Sequence, residues 1–395
     1  MTRLTMLASV AALLFAPLLA RAQSSTAEFT VRAVNRLATA RPDETIGIPW
    51  NTVRGAVPSA AAGQLRVRDA GSGLEIPSQA VDDDGDGTTD ELIFQSTFAP
   101  HETRRFIVEA RAPAPVADTR VYAAHESPRD DVAWESDRIG YRIYGQGLWK
   151  VDSLNSSGVD VWVKRVRTPI VDKWYAKGHD EYHHDNGEGA DFFDVGESLG
   201  AGGTGIWRND SLYRALNFKS WRIIANGPVR TIFELTYQPF NAGGLNVAEV
   251  KRIALDAGHN LNHVVSTFKS EGSATDIPWV SGIVKRAGVV GSESKANDWA
   301  WLAEWGPILP KDGGHGELGI GILLPRSEVA DWKETSTHYL VLSHAKSGVP
   351  VDYYIGAGWT DSGDFRDVRD RWHYLDDQAQ RIATPIVVTV DPEKP

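Results

Sequence analysis

The chain has no cysteine among its 395 residues. Neither disulfides nor thiolate ligands and nucleophiles therefore enter its chemistry. Methionine is scarce too, at two residues, and beyond the amino terminus no stretch is apolar enough to span a bilayer. There is no repeat of solenoid period and no low-complexity tract. Basic residues are the minority, 41 Lys and Arg against 52 Asp and Glu, for a formal net charge of −11. That balance disfavours nucleic acid and anionic membranes as partners. An anionic small ligand stays allowed, because a local basic pocket can sit on an acidic protein.

What is present begins with Met1-Thr2-Arg3, an apolar stretch over residues 4–19, and Ala20-Arg21-Ala22 before a polar Gln23. A charged start, a short apolar middle and a small-x-small site describe a secretory signal peptide over residues 1–22, cleaved after Ala22. Its removal takes Arg3 and Arg21 and no acid. A periplasmic or secreted protein with no membrane partner is the expectation. Alternating strands at residues 29–34, 64–68 and 106–110, separated by turn residues, predict a small β-sandwich over 23–112. The prolines of residues 113–120 read as a stiff linker. From 121 to 395 many strands recur, such as 140–144, 159–163 and 230–237, with one helix near 364–381 and a last β-branched strand. The fold class is thus all-β: a small amino-terminal sandwich, then a large antiparallel supersandwich with a short carboxy-terminal helix.

The most informative run is His179-Asp180-Glu181-Tyr182-His183-His184-Asp185-Asn186-Gly187-Glu188-Gly189-Ala190-Asp191. It holds three of the 11 histidines and five carboxylates, and no Lys or Arg occurs from residue 178 to 207. Imidazoles beside acids supply a proton-transfer pair near neutral pH or ligands for a divalent metal. The alternative is a solvated polar loop. His179, His183, Asp185 and Glu188 are the metal candidates, with calcium favoured over zinc where oxygens dominate. Gly187 and Gly189 argue against a helix in this run.

A second acidic motif, Asp82-Asp83-Asp84-Gly85-Asp86-Gly87, places Asp82, Asp84, Asp86 and Asp90 as candidate ligands for a structural Ca²⁺. An EF-hand would need a glutamate where Ile93 stands, so a shorter calcium loop or a plain hairpin turn are the readings. No other cofactor is called for. The glycines of residues 200–205 lack the lysine of a phosphate-binding loop. Of the 14 tryptophans, Trp207, Trp299 and Trp301 are candidate sugar-stacking faces, with core packing the alternative.

Three blocks resemble a known family: residues 184–196 beginning His184-Asp185-Asn186-Gly187, then Ser198-Leu199-Gly200-Ala201-Gly202-Gly203, and Tyr353-Tyr354-Ile355-Gly356-Ala357-Gly358-Trp359. They are similar to domain-of-unknown-function family 4861. The resemblance implies an exported protein of carbohydrate-degradation loci, often for pectin and other uronate-rich polysaccharides. The large domain is also similar in character to the supersandwich of galactose mutarotases and several polysaccharide lyases, although fold does not fix chemistry. The resemblance brings no catalytic assignment.

On these grounds the expected activity is β-elimination on a uronate-containing oligo- or polysaccharide. Tyr182, His183 and His184 are candidate base and acid, His184 favoured because it opens the glycine-spaced block, and Glu188 is a further catalytic candidate. Asn186, Lys173, Arg142 and Arg222 are candidates for the substrate carboxylate. Glycoside hydrolysis is the alternative, drawing on Glu188, Asp191 and Asp194. A mutarotase-like sugar epimerase and a non-catalytic periplasmic glycan-binding protein remain further readings. The acidic run is half of a site; the missing half is cationic.

Overall fold

The architecture is that of a computed structural model, described for residues 27–111, 119–127, 129–150, 152–309 and 313–391. The expected signal peptide, 1–22, and all but the end of the expected linker, 113–120, lie outside these residues. Antiparallel strands dominate.

Strand Glu28–Val34 turns Phe29, Val31 and Ala33 inward and leaves alternate residues partly exposed, the period-two pattern of a sheet with one buried face. It belongs to a five-stranded sheet ordered Val387–Asp391, Glu28–Val34, Thr103–Ala110, Leu65–Asp69, Glu75–Ile76. A three-stranded sheet of Arg41–Pro49, Glu91–Phe98 and Ser78–Val81 faces it. Val31, Ile48, Phe94 and Phe106 lie in their shared core. The last strand of the chain thus closes the amino-terminal sandwich, Val31 opposite Val390, and not the large unit that was expected to run to residue 395. Its Val388 and Val390 pack on that first core, burial that the large sheets do not offer them.

The large unit stacks an eight-stranded sheet against two five-stranded ones. The eight-stranded order is Ser220–Asn226, Arg230–Ala242, Leu245–Asp256, Leu261–Ser270, Pro350–Trp359, Glu317–Pro325, Trp299–Pro307, Val290–Ser294. One facing sheet runs Gly189–Asp191, Asp160–Lys164, Ile139–Tyr144, Asp131–Ser136, Val121–Glu126. The other runs Ser211–Tyr213, Ala201–Arg208, Asp276–Val284, His338–Lys346, Asp331–Glu334. A parallel bridge between Val159 and Gly200 joins the two. Trp134, Tyr141, Ile206, Trp279, Phe233 and Ile355 meet in one core between the layers, which makes this the expected supersandwich.

Two helices cover the outer faces of this sandwich. Val368–Ala383 starts where Asp367 accepts hydrogen bonds from the Arg369 and Asp370 amides, at 2.8 and 3.1 Å. It lays Leu375 and Ala379 over Trp301, Ala303 and Leu323 on the eight-stranded sheet. Trp301 donates to Asp376 at 2.8 Å and stacks on Trp372, while Trp299 packs edge-on against Tyr354. The sugar-platform reading of Trp299 and Trp301 is therefore corrected: the helix covers that face, and Trp301 is 4% exposed. Trp301→Ala is expected to cost about 3–5 kcal/mol of stability. Urea unfolding measures it, and an unchanged midpoint would mean the helix is held by other contacts.

The short helix Val171–Lys177 covers the outer face of the sheet that contains Ile139–Tyr144. Glu135 anchors its start, accepting from the Ile170 and Val171 amides at 2.7 and 2.9 Å. The other Glu135 oxygen pairs with the buried Lys164 ammonium at 2.5 Å. Trp174 then packs on Trp162, ring centroids 5.4 Å apart. This helix and the 3₁₀ turn Glu181–His183 after it bring the 179–191 run onto the sheet.

Candidate functional site

Alternation along strand Ile139–Tyr144 sends Tyr141 and Ile143 into the core between the layers and Arg142 toward Trp162 and Tyr182 on the outer face. An arginine in that position needs counter-charge. Its cross-strand partner Asp160 accepts from Arg142 Nε at 3.0 Å and Nη2 at 2.6 Å. Asp191 accepts from Nη2 at 2.7 Å, and the hydroxyls of Tyr144 and Tyr182 lie 2.8 and 3.0 Å from the guanidinium. Arg142 is 4% exposed.

Arg142, Tyr144 and Asp191 of this network line a cleft of about 780 Å³, together with His179, His183, His184, Phe192, Asp194, Glu197 and Arg129. His183 Nδ1 lies 3.0 Å from the Asp191 carbonyl oxygen. A carbonyl only accepts, so Nδ1 bears the hydrogen and Nε2 is the lone-pair nitrogen of the neutral ring. Burial holds His183 below the usual histidine range. Burial, and then the neighbouring Asp160 charge, push the Asp191 carboxyl well above the usual carboxylate range. Burial likewise raises the Tyr144 phenol, with Arg142 opposing, so Tyr144 is neutral, and its hydroxyl donates to Asp160 at 2.9 Å.

Among the described residues, the Arg129 guanidinium has no hydrogen-bond or ion-pair partner, although its backbone amide donates to Glu126. It is the cation the sequence could not place. Arg129 follows a proline in a turn, and nothing in that local pattern distinguishes it from a solvated arginine. Arg142 is in the cleft wall as expected, but its hydrogen bonds go to the protein's own groups, which corrects its reading as a ligand for substrate.

The structure divides the other expected residues. Lys173 and Glu188 form an ion pair with each other, and Trp174 Nε1 reaches Glu188 at 3.4 Å. The Lys173 hydrogen bond holds the Glu188 carboxyl below its usual range, the wrong direction for a general acid. Glu188 and Lys173 are thus corrected to a surface pair outside the cleft, tying helix to loop. Tyr182 is 2% exposed, packs on Trp162 and bonds Arg142 from behind the cleft, which it does not line. His184 is exposed at the cleft rim and makes no ring hydrogen bond among the described residues, whereas His183 is oriented. Asn186 is exposed and donates to the His184 carbonyl at 3.3 Å. Trp207 packs with Leu199 and Leu340 on the other five-stranded sheet, under Lys333 at 4.7 Å. It does not line the cleft, because its sheet lies on the far side of the Val159–Gly200 bridge.

The glycines of the loop have a specific use. Asp185 accepts from the Gly187 and Gly189 amides at 2.8 and 3.0 Å. Gly189 has φ 109°, and a Cβ there would stand 2.0 Å from the Val163 carbonyl oxygen, so only glycine lets this strand pair with Lys164 and deliver Asp191. Asp185 also pairs with Arg165 and with His315 Nε2 at 3.0 Å, and His315 Nδ1 reaches Asp361 at 2.6 Å. That clasp pins the loop to the turns around residues 315 and 361. It uses Asp185 and separates it from His179, so the proposed His179, His183, Asp185 and Glu188 metal set is not assembled.

Arg222 lies on strand Ser220–Asn226 and donates to the Gly85 carbonyl at 2.6 Å. It is corrected from a cleft residue to one that docks the acidic loop of the small domain on the large sheet. In that loop Asp82, Asp84 and Asp86 offer oxygens within 4.8 Å of one another, a donor set that suits a hard cation such as Ca²⁺. Asp90 is outside that group; its carboxylate accepts from the Asp83 amide at 2.7 Å. A further cavity of about 430 Å³ at the domain junction has its charges paired internally, Arg230 with Asp256 at 2.6 Å and Arg381 with Glu44 at 3.9 Å.

Fold and cleft define a class: an all-β protein of sandwich and supersandwich, with a histidine- and arginine-lined cleft on an outer sheet face. Within that class the chain belongs to the family described as a domain of unknown function, DUF4861, which matches residues 34–388. It is similar to "Uncharacterized protein P7" of Formosa agariphila, 32% identical over 343 residues, covering 82% of this chain and 84% of that one. Among solved structures it is similar to an α-mannosidase from Enterococcus faecalis V583, with a TM-score of 0.52 and 8% identity over 93% of this chain and 46% of that one. A glycosyl hydrolase family 38 protein from Enterococcus faecalis gives 0.51 and 9%, over 92% of this chain and 47% of that one. At such identity the likeness is one of fold, and this chain spans under half the length of each. No helix among the described residues is long and apolar enough to cross a membrane.

Proposed function

We propose that the protein is an exported carbohydrate-active enzyme that cleaves uronate-containing oligo- or polysaccharides by β-elimination in the cleft of His183 and Arg129. The observation that carries this reading is the pairing of roles in one cavity. His183 has Nδ1 committed to the Asp191 carbonyl and Nε2 left as a base, and Arg129 is a cation without a partner among the described residues. The fold's likeness to glycan-processing enzymes supports a carbohydrate substrate. The apolar stretch and Ala20-Arg21-Ala22 support export.

Arg129 would pair with the uronate carboxylate and lower the cost of charge as the adjacent C–H bond breaks. His183 Nε2 takes that proton. The electron pair forms the new C=C bond, the C–O bond to the leaving sugar breaks, and the leaving oxygen takes its proton from water in the cleft, since the Tyr144 hydroxyl is committed to Asp160. Because burial lowers His183, the base stays unprotonated into mildly acidic solution, and the acid limb of the rate profile is expected below the ordinary histidine range.

Polygalacturonate is the test substrate. Elimination is expected to raise ultraviolet absorbance from the new C=C bond in step with chain cleavage. New reducing ends without absorbance would overturn elimination in favour of hydrolysis, and binding without turnover would indicate a glycan-binding protein. One observation favours hydrolysis as the second reading: Asp191 is a raised carboxyl in the cleft wall, suited to a general acid, with Asp194 and Glu197 lining the same cleft as candidate bases.

A further inference from the structure

Behind the cleft lies a carboxyl group that the elimination does not use. Asp131 opens strand Asp131–Ser136, opposite Tyr144 on one neighbouring strand and Glu126 on the other. It is 0% exposed, and neither of its oxygens has a hydrogen-bond partner among the described residues. Arg142 and Tyr144 face it from one strand, Asp160 from the next, and Arg129 and Glu126 from the turn and strand before it. Tyr175 faces it from the overlying helix, and the Tyr175 hydroxyl is likewise buried and unpartnered.

An ionised carboxylate without a donor is strongly disfavoured in such surroundings, whereas the protonated acid loses little. What offsets that penalty is the field of two cations. Arg142 is already held by Asp160 and Asp191, so the cation whose field is open to change is Arg129.

We propose that Asp131 couples the binding of an anion in the cleft to the uptake of a proton. A carboxylate that pairs with Arg129 screens one of the two cations that favour ionised Asp131, and Asp131 responds by taking a proton from solvent. Burial pushes the Asp131 carboxyl up to about 7, against the pull of Arg142 and Arg129. The free protein thus holds both forms near neutrality, and a ligand can shift their balance. Asp131 is a positioning residue acting through Arg129. The inference rests on the uronate reading for the class of ligand, and on the buried geometry alone for the state of the carboxyl.

The test has two arms on the full mature protein. In the first, carbon NMR of side-chain carboxyls, with Asp131→Asn to assign the signal, follows the free protein through a pH titration. A midpoint near neutrality is expected, and a midpoint in the ordinary aspartate range would overturn the proposal. In the second, calorimetry in buffers of different ionisation enthalpy follows trigalacturonate binding, with His183→Ala in all samples to stop turnover. Binding is expected to take up a proton near neutrality and to weaken by up to about tenfold per pH unit above the Asp131 midpoint. Asp131→Asn should remove both effects and hold the affinity at the level the parent reaches in acid. The cleft histidines His179 and His184 are common to both proteins, so the difference between the two is the readout. Equal proton uptake in both would overturn the coupling. Failure of trigalacturonate to bind either protein would overturn the ligand class and the coupling together, while the carboxyl titration still decides the state of Asp131.

Discussion

His183→Ala is expected to lower kcat on polygalacturonate by about 100- to 10,000-fold, the usual weight of a positioned general base. Folding should be little affected, because His183 is half-buried and makes one hydrogen bond through its ring, to a backbone carbonyl that water can replace. His184→Ala is the control. His184 sits exposed on the same cleft with no ring hydrogen bond among the described residues, so a loss of less than about tenfold is expected there, short of what a positioned base supplies. The comparison reads orientation: two adjacent histidines share composition and neighbourhood, and only one has its tautomer fixed. Steady-state kinetics with circular dichroism on both variants decides it. A larger loss for His184→Ala would transfer the base assignment to the rim.

Arg142→Ala should act on stability first. Removing one partner of a buried ion pair leaves uncompensated charge and costs about 3–5 kcal/mol, here with Asp160 and Asp191 both bonded to the same guanidinium. The pH dependence has a definite sign. Burial, then the Asp160 charge, already raise Asp191 in the folded protein against the pull of Arg142, and loss of Arg142 raises it further. A group whose folded value lies above its unfolded value contributes stability below the unfolded value and loses it as pH rises through the folded one. The variant should therefore be most weakened at about pH 8 and regain part of its stability at about pH 5, where Asp191 binds a proton. Urea unfolding at both values measures this. A variant as stable as the parent in alkaline solution would show that the network carries little of the fold's stability.

Much of the fold was legible in the chain because its cause is local. Alternation at residues 29–34 marks a half-buried strand, strand-forming residues at 140–144 mark another, buried on both faces, and the helix expected near 364–381 stands at Val368–Ala383. The helix Val171–Lys177 was not legible. It is seven residues long, too short to show a period, and is held by Glu135 from a distant strand and by Trp174 on Trp162. The destination of the last strand was hidden for the same reason, since Val388 and Val390 suit any apolar face and their partner lies at the other end of the chain. Trp299 and Trp301 were correctly placed on one strand face, but whether a helix or a sugar covers that face is not written in a strand.

The sequence by itself determined an all-β protein without cysteine chemistry, a histidine- and acid-rich run freed from helix by Gly187 and Gly189, and the blocks that mark the family. Those follow from composition, two-residue alternation and the conformational freedom of glycine, all of which act over a few bonds. Only the tertiary structure decided how the run's charges are used. Glu188 goes to Lys173, Asp185 to Arg165 and His315, and Asp191 to Arg142, leaving His183 as the oriented histidine. It also supplied the cation that the run lacks, in Arg129, and put Asp131 behind it. Coulomb energy and desolvation depend on distance and burial in space, and neither is a property of neighbours along the chain.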